Sequence, residues 1–169
     1  MQRVIALILA LYSFLLIESN YHKLPARIPT HFNSAGEPNG WGSPGTLWIL
    51  LLTQVLLGSL FLAIPLLARR FPATFNIGSV KLSDLSAEQQ DRIMPMFTSM
   101  MGNMCVLVCL LIAVLLHGTI KAALPPHPRL APWWVMGSFF SCTAVNIIYY
   151  MVRIFEVRNA GAGGARGLA

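Results

Sequence analysis

From Pro38 to Ala68 the chain carries no charged side chain. The same is true from Leu130 to Val152 and, with His117 neutral, from Ile93 to Ile120. A helix that crosses about 30 Å of hydrocarbon needs about 20 mostly apolar residues. All three runs are long enough, the dense apolar part of the first being Leu47 to Ala68. An unpaired backbone group in lipid costs several kcal/mol, so segments that enter the bilayer must close their own hydrogen bonds as helices. The composition agrees. Charged residues make up 11% of the chain, against about 25% in a typical soluble domain, which is too few to coat a water-facing surface.

The first apolar run, Val4 to Ile17, is shorter, and its length with Arg3 ahead of it fits a signal peptide as well as a membrane span. The residues that follow, Glu18, Ser19, Asn20 and Tyr21, hold no small-residue cleavage pattern. A retained helix is therefore expected. The predicted fold is all-α, an integral membrane bundle of four transmembrane helices with an ordered extracytoplasmic loop between helices 1 and 2. Four spans put both termini on one side. Arg3, Arg69, Arg70, Lys81, Arg92, Arg153, Arg158 and Arg166 then face Lys23, Arg27, Lys121 and Arg129 across the bilayer, eight against four of the 12 basic residues. This bias predicts cytoplasmic termini. Trp41, Trp48, Trp133 and Trp134 fall near the opposite interface, as an aromatic belt would.

The expected organisation is residues 1–68 as helix 1, outer loop and helix 2; 69–95 as a cytoplasmic loop with a short helix; 96–155 as helices 3 and 4; and 156–169 as a flexible tail. Ser86 and Gln89 in "SAEQ" have the spacing of a capping box, which predicts a short helix from Ala87 to about Ile93. Pro95 is expected to kink its junction with the third span. The Gly/Ala-rich end "AGAGGARGLA" has no apolar period and reads as a mobile tail.

The polar stretch "LPARIPTHFNSAGEPNGWG", Leu24 to Gly42, is the segment with chemistry to offer. Pro25 and Pro29 restrict the chain and push the residues before them into extended geometry. "EPNG" places Pro38, Asn39 and Gly40 at the second to fourth positions of a type I turn. His31 and Asn33 alternate around Phe32, so on an extended segment they share a face. His31, Asn33, Glu37 and Trp41 are the candidate ligand-binding residues, with Pro25, Pro29, Gly36 and Gly40 as the structural frame. An alternative reading makes His22, His31 and Glu37 ligands of a metal, although the spacing matches no zinc motif. The plainer reading has His31 and Asn33 satisfying backbone groups of the loop.

Elsewhere the plain readings are favoured. Met96, Met100 and Met104, with Cys105 and Cys109, make a stripe of soft side chains at helical spacing that could suit copper(I), but packing is its commoner role. Cys142 likewise reads as a small apolar residue. Gln54, Asn103, His117 and Asn146 are expected to bond across helices, and Gly137, Ser138 and Ser141 to form a face for close packing. No Asp or Glu lies within the three long spans, which argues against an ion or proton pump. No phosphate-binding loop, nucleophile elbow or paired carboxylates are found, so a non-enzymatic protein without cofactor is expected. No Lys/Arg block supports nucleic-acid binding. The partners expected are the lipid bilayer and a peptide or membrane protein. An accessory subunit of a transporter is a further alternative.

The loop also carries a resemblance. Leu24, Pro25, Ile28, Pro29, His31, Phe32, Asn33, Gly36, Asn39, Gly40 and Trp41 resemble, in order, the signature of the bacterial membrane family known as domain of unknown function 1648. "NIG" and "KLSDLSAEQ" are more distantly similar to the segment that follows in related proteins. The same domain stands at the N-terminus of SdpI-type proteins, which confer immunity to a secreted killing peptide and can signal to a repressor. The resemblance thus implies an immunity or sensing role. Two departures are that Pro44 stands where a lysine often follows "GWGS", and that the second membrane domain of those proteins is not recognisable here.

Overall fold

The computed structural model describes residues 1–77, 79–125 and 132–164. Four helices dominate: α1 (Gln2–Tyr21), α2 (Thr46–Arg70), α3 (Ala87–Ala123) and α4 (Pro132–Gly164). Each contains a segment long and apolar enough to cross a membrane. Two antiparallel hairpins join them. Strands β1 (Ile28–Phe32) and β2 (Pro38–Gly42) lie between α1 and α2, and the two-residue strands β3 (Asn76–Ile77) and β4 (Val80–Lys81) lie between α2 and α3.

Helix α3 is the post around which the rest is arranged. Helices α1, α2 and α4 all pack on it, α1 also touches α2, and β1 rests on its last turns. Its 37 residues span about 55 Å, well beyond a hydrocarbon core of about 30 Å. The excess lies at its start, where Glu88, Asp91 and Arg92 are exposed.

That start departs from expectation. The helix predicted for Ala87 to Ile93 is the first part of α3 itself, and Pro95 sits inside the continuous helix. Its capping box is present, with the Ser86 hydroxyl accepting from the Gln89 N–H and the Gln89 side chain accepting from the Ser86 N–H. Proline leaves the carbonyl one turn earlier, that of Asp91, without its helical donor; both residues are exposed, so water can replace it. Next to Pro95, Ile93 and Met94 are buried with Ala68, Leu82, Leu85 and Ile154, which ties α2, the inter-helix segment, α3 and α4 together at one end of the bundle.

The flexible tail expected from residue 156 is helical as far as Gly164. Side-chain contacts explain its first turn. Gln89 donates from Nε2 to the Arg158 carbonyl at 2.9 Å, Arg158 donates from Nη1 to the Ile77 carbonyl at 3.2 Å, and the same guanidinium stacks 4.4 Å from the Phe155 ring. The rest of that tail, 165–169, and most of the predicted second outer loop, 126–131 with Arg129, lie outside the described residues.

At the other end, away from the C-terminus, Ile17, Ile28, Leu47, Ile112, Leu116, Ile120 and Ala123 form a second core. Trp48 packs against it beside Phe14 and Tyr21. This core holds the first hairpin on the bundle.

Candidate functional site

The hairpin is built from its anchor outward. Helix α1 ends at Tyr21, and the chain turns through Lys23 and Leu24, whose N–H groups reach the Asn20 and Tyr21 carbonyls. Ile28 and Pro29 at the start of β1 are buried, Ile28 completely. Burying one such side chain contributes roughly 1.5–3 kcal/mol. Pro29 can donate no ladder hydrogen bond, which suits a strand in a two-stranded ribbon. Pro25 is exposed on the approach.

The strands pair Ile28 with Gly42, Pro29 with Trp41, His31 with Gly40 and Phe32 with Pro38, with irregularities on either side of His31. The turn is not at "EPNG". It is at Asn33–Gly36, and Pro38, Asn39 and Gly40 belong to β2. Asn33 determines this. Its Oδ1 accepts from the N–H groups of Ala35 and Glu37, both at 2.9 Å, and its Nδ2 donates to the Glu37 carboxylate at 3.3 Å. Its backbone N–H reaches the Glu37 carbonyl at 2.9 Å, and the Gly36 N–H returns to the Asn33 carbonyl at 3.0 Å. Gly36 closes the turn at φ 77°, the left-handed region that glycine enters at little cost. A side-chain oxygen holding N–H groups ahead of it is the usual work of asparagine in turns.

Sequence reasoning placed His31 and Asn33 together, and the structure separates their roles. Asn33 faces the turn and Glu37. His31 is exposed, and its Nδ1 is hydrogen-bonded to Oδ1 of Asn39 across the hairpin. An amide oxygen only accepts, so Nδ1 is the donor of this pair. Gly40 makes this arrangement possible. A β-carbon there would stand 2.8 Å from the His31 Cβ. Trp41 follows on β2 and is 53% exposed. Asn39 was missed as a site residue because "EPNG" reads so readily as a turn.

His22 lies at the end of α1, exposed, with its ring edge-on to Tyr21. Among the described residues, no group of three or more His, Cys, Asp or Glu is disposed to hold a metal ion, and His22, His31 and Glu37 form no such group.

Inside the bundle the expected polar residues do bond across helices. Gln54, fully buried, donates to the Cys109 carbonyl at 3.2 Å. Gln2 donates to Asn103 Oδ1 at 2.7 Å and to the Ser99 carbonyl, Asn103 donates to Asn146 Oδ1 at 3.0 Å, and Asn146 donates to the Met100 carbonyl. His117 Nδ1 meets the Tyr12 hydroxyl at 2.6 Å. Neither Gln2 nor Tyr12 was expected to bond across helices; their signal is a polar group on α1 one helix width from an expected polar site. Cys105 and Cys109 are buried against Gly58, where Cys105 reaches the Gly58 carbonyl at 3.5 Å. Met100, on the same helix, is buried, while Met96 and Met104 are half-buried. Among the described residues the small-residue face of α4 is not used for close packing: none of them comes within 4 Å of a β-carbon built on Gly137, and Ser138 and Ser141 are exposed.

No curated protein and no solved structure matches the chain. Residues 4–55, from the first turn of α1 through the hairpin and into α2, match the model of the family described as "Domain of unknown function (DUF1648)". By that segment, which holds the anchored hairpin, the N-terminal part of the chain is similar to the DUF1648 family.

Proposed function

We propose that this multi-pass membrane protein is non-enzymatic and uses the β1–β2 hairpin to bind a peptide or protein partner at the membrane surface. The observation that carries the reading is a division of labour within one ribbon. Ile28 and Pro29 fasten it to the bundle, Asn33 and Gly36 fix its turn, and neither task consumes His31 Nε2 or the exposed Trp41. A rigid element that presents an aromatic ring and an imidazole loses little entropy when a partner docks. The basic bias toward the termini supports a cytoplasmic position for them, which puts the hairpin outside a bacterial inner membrane. Immunity to, or sensing of, an envelope-active peptide is the most specific form of the proposal.

The test is a photoactivatable residue in place of Trp41, in bacterial membranes exposed to such peptides. A discrete adduct is expected, lost when His31→Ala is combined with it. Identical adducts with and without His31→Ala would contradict the reading.

A further inference from the structure

Helices α1 and α4 both pack on α3, and they do not close on one another. Between them is a laterally open groove of about 640 Å³, within the roughly 300–1,000 Å³ range of sites that hold small ligands. It continues, past Leu107 and Cys142, into a second hollow of about 250 Å³ toward Trp134.

The groove has two chemically different parts. Ile5, Val106, Leu107 and Val145 make its apolar length. Gln2, Asn103 and Asn146 make its polar end, with Tyr149 and Tyr150 beside them. Within the amide chain, Asn103 and Asn146 each use one of two amide hydrogens, so donors remain at that end. Its depth is marked by Arg3, next to Gln2, and by Arg153, which follows Asn146 by two helical turns or about 10 Å. Polar donors therefore meet the hydrocarbon just inside the charged boundary on the side of the termini.

We propose that this groove binds one glycerophospholipid of the leaflet on the termini side. Its acyl chain lies along Ile5, Val106 and Val145, and its ester carbonyls accept from Asn103 and Asn146. The chemistry favours lipid over a helix of a second copy. The glycerol ester region offers acceptors and no donors, which complements a donor-bearing pocket, whereas a membrane helix has already satisfied its own carbonyls. The opening faces the bilayer, so the occupant enters from lipid.

The test uses the full chain reconstituted in phosphatidylethanolamine and phosphatidylglycerol vesicles that contain a phosphatidylglycerol with a diazirine in its acyl chain. Adducts are mapped after irradiation. Leu56 and Leu60 serve as the reference, because they are exposed on α2 next to Gly58, which meets Cys105 at the depth of Val106. Labelling of Ile5, Val106 and Val145 is expected to exceed that of Leu56 and Leu60 severalfold. Asn103→Leu with Asn146→Leu is expected to bring it down to the α2 level while α2 labelling is unchanged. Equal labelling of both faces in the unaltered chain overturns the proposal, and that comparison needs no variant. A disulfide-linked dimer through Cys142 under mild oxidation, with groove adducts absent, also overturns it by showing a second copy in the groove.

Discussion

His31 and Gly40 face each other across the hairpin so closely that a β-carbon on Gly40 would stand 2.8 Å from the His31 Cβ. The imidazole occupies its place on the ribbon because its partner has no side chain. Gly40→Ala is expected to push the strands apart at the cost of about 1–3 kcal/mol, the usual range for overpacking. Gly36→Ala is expected to cost about 1 kcal/mol for a different reason, its φ of 77°. Thermal unfolding of the purified protein in detergent checks both. The two losses should add, because one is a steric clash between strands and the other is local backbone strain.

Asn33 should behave as a structural residue. Its Oδ1 holds two backbone N–H groups, so Asn33→Ala leaves both unserved and is expected to lower stability by about 1–3 kcal/mol. Asn33→Asp keeps the acceptor but sets a second carboxylate against Glu37, and is expected to fall between the two. The same unfolding measurement ranks them, and an Asn33→Ala protein as stable as the parent would remove this role.

The amide chain between helices predicts coupling. Asn103→Leu and Asn146→Leu each break the Asn103–Asn146 hydrogen bond of 3.0 Å. Cross-helix bonds of this kind are worth about 0.6 kcal/mol on average and up to about 1.7. A double-mutant cycle on unfolding in mixed micelles should return a coupling energy in that range. Strict additivity would mean that the bond contributes nothing.

How far these features can be read from sequence differs by element, for physical reasons. The four membrane helices follow from charge-free runs such as Pro38 to Ala68, because lipid admits little else. The Ser86–Gln89 cap is local chemistry and was legible for the same reason. The position of the turn was not. "EPNG" has the local preference for a turn, but the Asn33 side chain offers a competing one, and burial of Ile28 with the pairing of His31 and Gly40 selects the register that uses it. Likewise Pro95 reads locally as a junction between two helices, while the packing of Ile93 and Met94 against Ala68 and Ile154 accompanies one continuous helix. The similarity of residues 4–55 to the family was legible because its ordered residues are concentrated in the hairpin. The Gln2–Asn103–Asn146 chain depends on which helices become neighbours, and that is decided by tertiary packing.

The exposed pair His31 and Asn39 should separate function from stability. Both residues lie at the surface, so His31→Ala is expected to change stability by no more than about 0.5 kcal/mol, as surface substitutions commonly do. Asn39→Ala, which releases the ring, is expected to reproduce part of the functional loss. Combined, the two should be no worse than His31→Ala alone.

Binding through the hairpin is measured most directly by survival of a deletion strain challenged with envelope-active peptides and complemented with the parent chain or with His31→Ala, at equal abundance in the membrane. The parent is expected to restore resistance and His31→Ala is expected not to. Full protection by His31→Ala, or no change in sensitivity on deletion, would contradict the assignment of binding to the hairpin.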